Sequence, residues 1–202
     1  IYDSALSDER IIGLDIATRC DCINEEVCKL LAEYNEKYFV QIELGLQTSS
    51  EETHKITNQC ITNDDFKNAM KLLNKYGIYT VVHLMVGLPG ENHENISKTL
   101  SFLGYFDYQG IKIHSTYIEE NTVLNNMYQK GEYKPLTYEE YMDELAYILT
   151  HINPTVIVHR ITGDPFKETF VAPEWTMHKK NVLNNIDKLL ISKNEYQGIY
   201  FK

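Results

Sequence analysis

At 202 residues the sequence has room for one domain with a sizeable hydrophobic core. Its formal net charge of -10 supplies no broad cationic field of the kind that gathers nucleic acid or anionic lipid. No apolar run approaches the roughly 20 residues of a membrane helix and no signal peptide is visible, so the expectation is a cytoplasmic chain with no membrane partner.

The first predicted strand is "IIGLDIA" (11–17), followed by a helix over 24–34 in which Val27, Leu30 and Leu31 recur at helical spacing. A second strand, "FVQIELGL" (39–46), precedes a helix over 63–76 carrying Phe66, Ala69, Met70 and Leu73, with Asn63 as cap and Gly77 as stop. Strand "YTVVHLMVG" (79–87), a helix near 95–105 and strand "IKIHSTYI" (111–118) follow. Helices near 121–130 and 137–151, strand "TVIVHRI" (155–161) and a helix near 178–193 complete the chain. The five strands are rich in β-branched residues. Their alternation with helices implies right-handed βαβ units and a parallel sheet. Five strands fall short of the eight that a closed barrel builds from about 250 residues. The expected fold class is therefore α/β: a partial (β/α) TIM-like barrel truncated at the N-terminus, or else a doubly wound sheet. Residues 1–165 are expected to form the partial barrel and 166–202 a C-terminal helical extension. A strand so soon after Ile1, with no initiator methionine, raises the expectation of an excised fragment.

Ligands of such sheets bind at the strand C-termini. That rim would present Asp15, Thr18 and Arg19, then Glu43 and Gln47, then His83 with the 87–91 loop, then His114, and finally His159, Arg160 and Asp164. Polar side chains inside apolar strands need partners, ligands or water, so Glu43, His83 and His114 are site candidates. Gly87, Pro89 and Gly90 break the backbone where it can turn sharply against a ligand. This loop is neither a dinucleotide fingerprint nor a phosphate loop. Three histidines with Asp15 or Asp164 would also suit a metal-dependent hydrolase or aldolase, although no H-x-H or H-x-x-x-H pair supports it. Cys20, Cys22, Cys28 and Cys60 match neither a zinc nor a ferredoxin spacing and read as reduced thiols with no metal in this chain. A cluster-free barrel that binds a nucleoside-like ligand is the other open reading.

The segments "GLDIATRCDCINEE", "VQIELGLQTSSEET", "VVHLMVGLPGENHEN", "GIKIHSTYIEENT", "VIVHRITGD" and "FVAPEW" occur in this order along the chain. Together they resemble an uncharacterised branch of the radical S-adenosylmethionine proteins. That branch is similar to oxygen-independent coproporphyrinogen oxidase and to the elongator catalytic subunit. The resemblance implies a 4Fe-4S cluster held by a C-x-x-x-C-x-x-C loop, S-adenosylmethionine cleaved to a 5'-deoxyadenosyl radical, an external electron donor and an unknown small-molecule or macromolecular substrate. The cluster motif is absent here, which places the cluster ligands upstream of Ile1 and makes this stretch inactive by itself. By position, Gln47 resembles the glutamine that contacts S-adenosylmethionine. Glu43 lies on the same strand, and His83 stands where the oxidases carry an aspartate that holds the adenosyl moiety. The backbone of Gly87, Leu88 and Pro89 would run along the adenine. Arg19, His114, His159, Arg160 and Asp164 resemble substrate-side residues, with the arginines suited to a carboxylate or phosphate and His159 to proton movement. An Arg160–Asp164 salt bridge is the structural alternative. One departure stands out: Gln59 replaces the arginine expected to pair with the methionine carboxylate.

Overall fold

A computed structural model describes residues 1–201. In chain order the elements are α1 (Tyr2–Ala5), β1 (Gly13–Arg19), α2 (Glu25–Asn35), β2 (Phe39–Gln47), α3 (Glu51–Ile56), α4 (Asn63–Lys75), β3 (Tyr79–Val86), α5 (His93–Leu103), β4 (Gly110–Ser115), β5 (Ile118–Glu119), α6 (Val123–Gln129), α7 (Tyr138–His151), β6 (Ile157–Arg160), β7 (Phe170–Ala172) and α8 (Lys179–Ser192). Five strands form one sheet in the order β1-β2-β3-β4-β6, and every neighbouring pair is parallel. The order never reverses, so the sheet is a partial barrel and not a doubly wound one. All strand C-termini therefore share one rim.

Alternation along the strands separates two faces. Val40, Ile42, Leu44 and Leu46 of β2, with Val82, Leu84 and Val86 of β3, join the core beneath the helices. Leu31, Phe66, Met70 and Leu145 supply the helical side of that layer. Burying a side chain such as Phe66 contributes about 2–3 kcal/mol. The opposite, concave face carries Glu43, His83 and Lys112.

Local chemistry explains where elements start. Thr62, one residue before the expected Asn63, caps α4: its hydroxyl accepts from the Asp65 N–H, and the Asp65 carboxylate accepts from the Thr62 N–H. Asn63 instead donates to the Ser49 carbonyl. Asn92 caps α5, which begins at His93, two residues before its predicted start. The predicted strand 111–118 is split, because after Ser115 the chain leaves the barrel and Ile118–Glu119 pairs antiparallel with Phe170–Ala172. This small sheet has its own apolar centre of Ile118, Tyr133 and Ala172. The predicted C-terminal helix is α8, which packs on α7 through Val182, Ile186 and Leu190. Gly198 and Tyr200 then donate backbone N–H groups to the carbonyls of Leu149 and Thr150 at the end of α7.

Candidate functional site

The parallel register sets the concave face. Asp15 lies beside Gln41, Gly45 beside His83, His83 beside Lys112, and Lys112 beside Arg160. At the centre is Glu43, only 7% exposed. One of its oxygens accepts from the Lys112 ammonium and the other from His83 Nε2 at 2.8 Å. A carboxylate partner fixes the imidazole as the Nε2–H tautomer, leaving Nδ1 as an acceptor. Burial works to raise the Glu43 carboxyl, but hydrogen bonds from Lys112 and Asp15 overcome it and hold the group at about 2. Asp15 is pushed up, first by burial and then by its hydrogen bond to the Glu43 carboxylate. His83 is pushed down by burial, against the pull of Glu43.

His114 follows Lys112 on the same column of β4, its ring 5.1 Å from that of His83. Burial, then the charges of His83, Arg160 and Lys112, lower it to about 4, so it is neutral near pH 7. Its Nε2 is buried without a hydrogen-bond partner, as is the hydroxyl of Thr116, one residue past the end of β4. Arg160 has no hydrogen bond or ion pair among the described residues, although its charge acts on both His83 and His114.

At the rim, Gln47 ends β2 with φ +66, where the register against β3 shifts. A left-handed non-glycine residue carries about 1–2 kcal/mol of strain and persists only where its surroundings enforce it. Gly45 makes room: a Cβ there would stand 3.0 Å from Gln47 Nε2. Gly87 also has positive φ, and its carbonyl accepts from the Tyr133 hydroxyl at 2.7 Å. Leu88 and Pro89 are buried beside it. Glu91, raised by burial, receives the Thr48 hydroxyl and ties the loop after β3 to the loop after β2. Three more acceptors stand buried and unpaired around that second loop: His54 Nδ1, Gln59 Oε1 and Asn63 Oδ1.

The remaining candidates are spread apart. Arg19 is bidentate to Asp21 on β1, at the opposite edge of the sheet from Arg160 on β6. It belongs to the side of Cys60 and the Gln59 loop, whose field reaches its guanidinium. His159 sits low in the barrel, because β6 pairs only with the first half of β4. Its ring fills the space that a Cβ on Gly110 would need and stands edge-on to Tyr79. Asp164 pairs with Lys179 at 2.8 Å, so the Arg160–Asp164 bridge does not form. The three histidines therefore do not meet at one point. Lys112 was missed in the sequence, where a lysine in the same alternating phase as His114 was the available signal.

The cysteines do not converge either. Cys20 is buried against the Gly45 carbonyl with its thiol pushed up to about 12, Cys28 is buried in α2, and Cys22 and Cys60 are exposed. Among the described residues no three His, Cys, Asp or Glu side chains group to hold a metal. These thiols do not fit a 4Fe-4S cluster, which needs several thiolates around one centre.

The Radical SAM superfamily profile matches residues 2–103, and the Radical SAM C-terminal domain matches residues 108–192. The uncharacterized protein YtqA of Bacillus subtilis is 35% identical over 201 residues, 100% of this chain and 62% of that protein. The uncharacterized protein MJ0486 of Methanocaldococcus jannaschii is 34% identical over 203 residues, 100% of this chain and 63% of that protein. The chain thus spans less than two thirds of the length of these curated relatives. The structure of an archaeal Elp3 from Methanocaldococcus infernus matches with a TM-score of 0.77 at 26% identity, over 92% of this chain and 43% of that one. No helix among the described residues is long and apolar enough to cross a membrane. Profile, whole-length relatives and the parallel half-barrel agree: the chain belongs to the radical S-adenosylmethionine superfamily.

Proposed function

We propose that this chain is the cofactor- and substrate-binding portion of a radical S-adenosylmethionine enzyme whose cluster ligands lie outside residues 1–202. The observation that carries this reading is the joint placement of Glu43 and His83 midway along β2 and β3, below strained Gln47 at the C-terminal end of β2. With a 4Fe-4S cluster to donate one electron, bound S-adenosylmethionine would be cleaved to methionine and a 5'-deoxyadenosyl radical, and that radical is the chemistry the cofactor would supply. The chain's own residues bind and orient. Glu43 fixes the His83 tautomer, so Nδ1 offers an acceptor to the adenosyl moiety where related oxidases use an aspartate oxygen. Gln47 adds an amide at the same rim, and the backbone of Gly87, Leu88 and Pro89 forms the adenine edge. The unpaired Gln59 Oε1 suits the ammonium of the methionine moiety, since an amide oxygen accepts where arginine would donate. Arg19 is the cation on that side for the carboxylate. An external electron donor and a cytoplasmic setting belong to the same proposal. The net charge of -10 favours no nucleic-acid substrate.

Calorimetric titration with S-adenosylhomocysteine tests the assignment without needing a cluster. Binding is expected, with a loss of about tenfold in Gln47→Ala and in His83→Phe, the worth of one hydrogen bond each. Equal affinity in both variants would refute the placement. Equal affinity for adenosine and S-adenosylhomocysteine would favour the cluster-free nucleoside binder.

A further inference from the structure

We infer that the β4–β6 side of the lumen is an anion subsite, in which the Arg160 guanidinium and the His114 imidazole hold a carboxylate or phosphate of the substrate. The word substrate rests on the function proposed above. The subsite itself rests on three side chains.

First, the charges around Arg160 are matched and its own is not. Lys112 is taken by Glu43 and Asp164 by Lys179, whereas the Arg160 side chain has no partner among the described residues. It stands beside Lys112 in the sheet, facing the lumen at the level of His83. Second, His114 Nε2 on β4 and the hydroxyl of Thr116, one residue past the end of β4, are buried and unpaired. Thr116 is only 6% exposed. Leaving such groups without partners costs about 1–3 kcal/mol each, which a ligand along β4 would recover. Third, the chemistry of all three suits one class of ligand. A guanidinium fork, an imidazole N–H and a hydroxyl are donors, and the fork matches a planar carboxylate or a phosphate face. Nearby negative charge sits on Glu43, already neutralised by Lys112, and on Asp164, whose carboxyl is held down first by its Lys179 partner and also by the Arg160 charge.

This anion is separate from the methionine carboxylate of the cofactor. Arg160 on β6 is three strands from Gln47 on β2. At the usual strand spacing that is roughly 14 Å, beyond the reach of a carboxylate held at the Gln59 loop.

Histidine-resolved NMR of the 15N-labelled chain tests this, with sodium phosphate and sodium succinate titrated separately at constant ionic strength. Each probe is expected to shift His114 saturably and to raise its titration midpoint, because a bound anion favours the imidazolium. The probe that saturates at lower concentration identifies the anionic group. Arg160→Gln is expected to weaken the response at least about tenfold, and Arg160→Lys to restore part of it. Arg160 is exposed, so its variants should fold, and His114→Asn provides a variant at a second position that should weaken phosphate binding seen by calorimetry. No saturable response to either anion, with S-adenosylhomocysteine still binding, overturns the subsite and leaves the proposed function standing. Competition between S-adenosylhomocysteine and the anion assigns the site to the cofactor and overturns the substrate assignment. An Arg160-dependent anion response without S-adenosylhomocysteine binding retains the subsite and refutes the proposed function.

Discussion

On the β2–β3 side of the lumen a buried carboxylate holds two donors, whereas on the β4–β6 side a guanidinium, an imidazole and a hydroxyl stand without partners. Glu43, Lys112 and His83 satisfy one another inside the chain, so their geometry exists before any ligand arrives. Arg160, His114 and Thr116 lack that closure, and only something from outside can complete them. One side is a fixed frame that sets a tautomer and a strand register. The other is a set of donors whose hydrogen bonds are still to be made. A barrel that must hold a common cofactor and admit a particular substrate needs both kinds of surface.

The largest expected effect breaks the fixed side. Glu43→Gln removes the charge that balances Lys112 in a site where both side chains are largely buried. Disrupting a buried pair in this way costs about 3 kcal/mol, readable in urea unfolding. Adding Lys112→Met should recover much of the loss, since an apolar replacement removes the stranded charge. Arg160→Gln, by contrast, should change stability by less than about 0.5 kcal/mol. Equal losses at Glu43 and Arg160 would abolish the distinction between the two sides.

Acid should separate the sides by pH. The folded-state value of His114, about 4 against an ordinary 6.5, means the unfolded chain takes up a proton that the folded chain refuses. Stability should therefore fall as pH drops from 6.5 toward 4. Glu43, at about 2 against an ordinary 4.5, contributes fully above pH 4.5 and loses its contribution as pH falls toward 2. Asp15, shifted upward, offsets part of this lower limb. His83, also lowered by burial, adds to the upper limb, so in unfolding measured across pH His114→Asn should flatten that limb in part and leave the lower one. An unchanged upper limb in that variant would assign the acid sensitivity elsewhere.

The sheet and its helices were legible because their signals are local and repeated: β-branched runs for each parallel strand, and Phe66, Ala69, Met70 and Leu73 at helical spacing. The four-residue α1, the six-residue α3 and the β5–β7 pair were not, because none is long enough to show a period. Glu43, His83 and His114 announced themselves as polar residues in apolar strands. Lys112 carries the same signal but sits next to Ile111 and Ile113, and a lysine is easily taken for a solvent-facing residue on an edge. The separation of Arg19 from Arg160 in the sheet was not legible for another reason. Sequence spacing gives no strand order, and only the observed order puts β1 and β6 at opposite edges. His159 was likewise placed at the rim by its neighbours in sequence, whereas the short pairing of β6 with β4 keeps it near Gly110.

The smallest expected effect tests whether the small C-terminal sheet serves the fixed side. Tyr133, 8% exposed, donates its hydroxyl to the Gly87 carbonyl at 2.7 Å, so part of the backbone expected to run along adenine is already engaged. Tyr133→Phe keeps the ring among Ile118 and Ala172 and deletes only that bond, at a cost of about 1 kcal/mol. If the bond holds the loop in its binding shape, affinity for S-adenosylhomocysteine should fall by less than it does in Gln47→Ala. Tyr133 itself need not touch the ligand for this to occur. A rise in affinity would carry the opposite meaning: the hydroxyl would be blocking the Gly87 carbonyl, and the loop after β3 would belong with the unfinished side of the lumen. Calorimetric titration and urea unfolding of the same preparation separate these outcomes, because the stability loss is common to both and the sign of the affinity change is not.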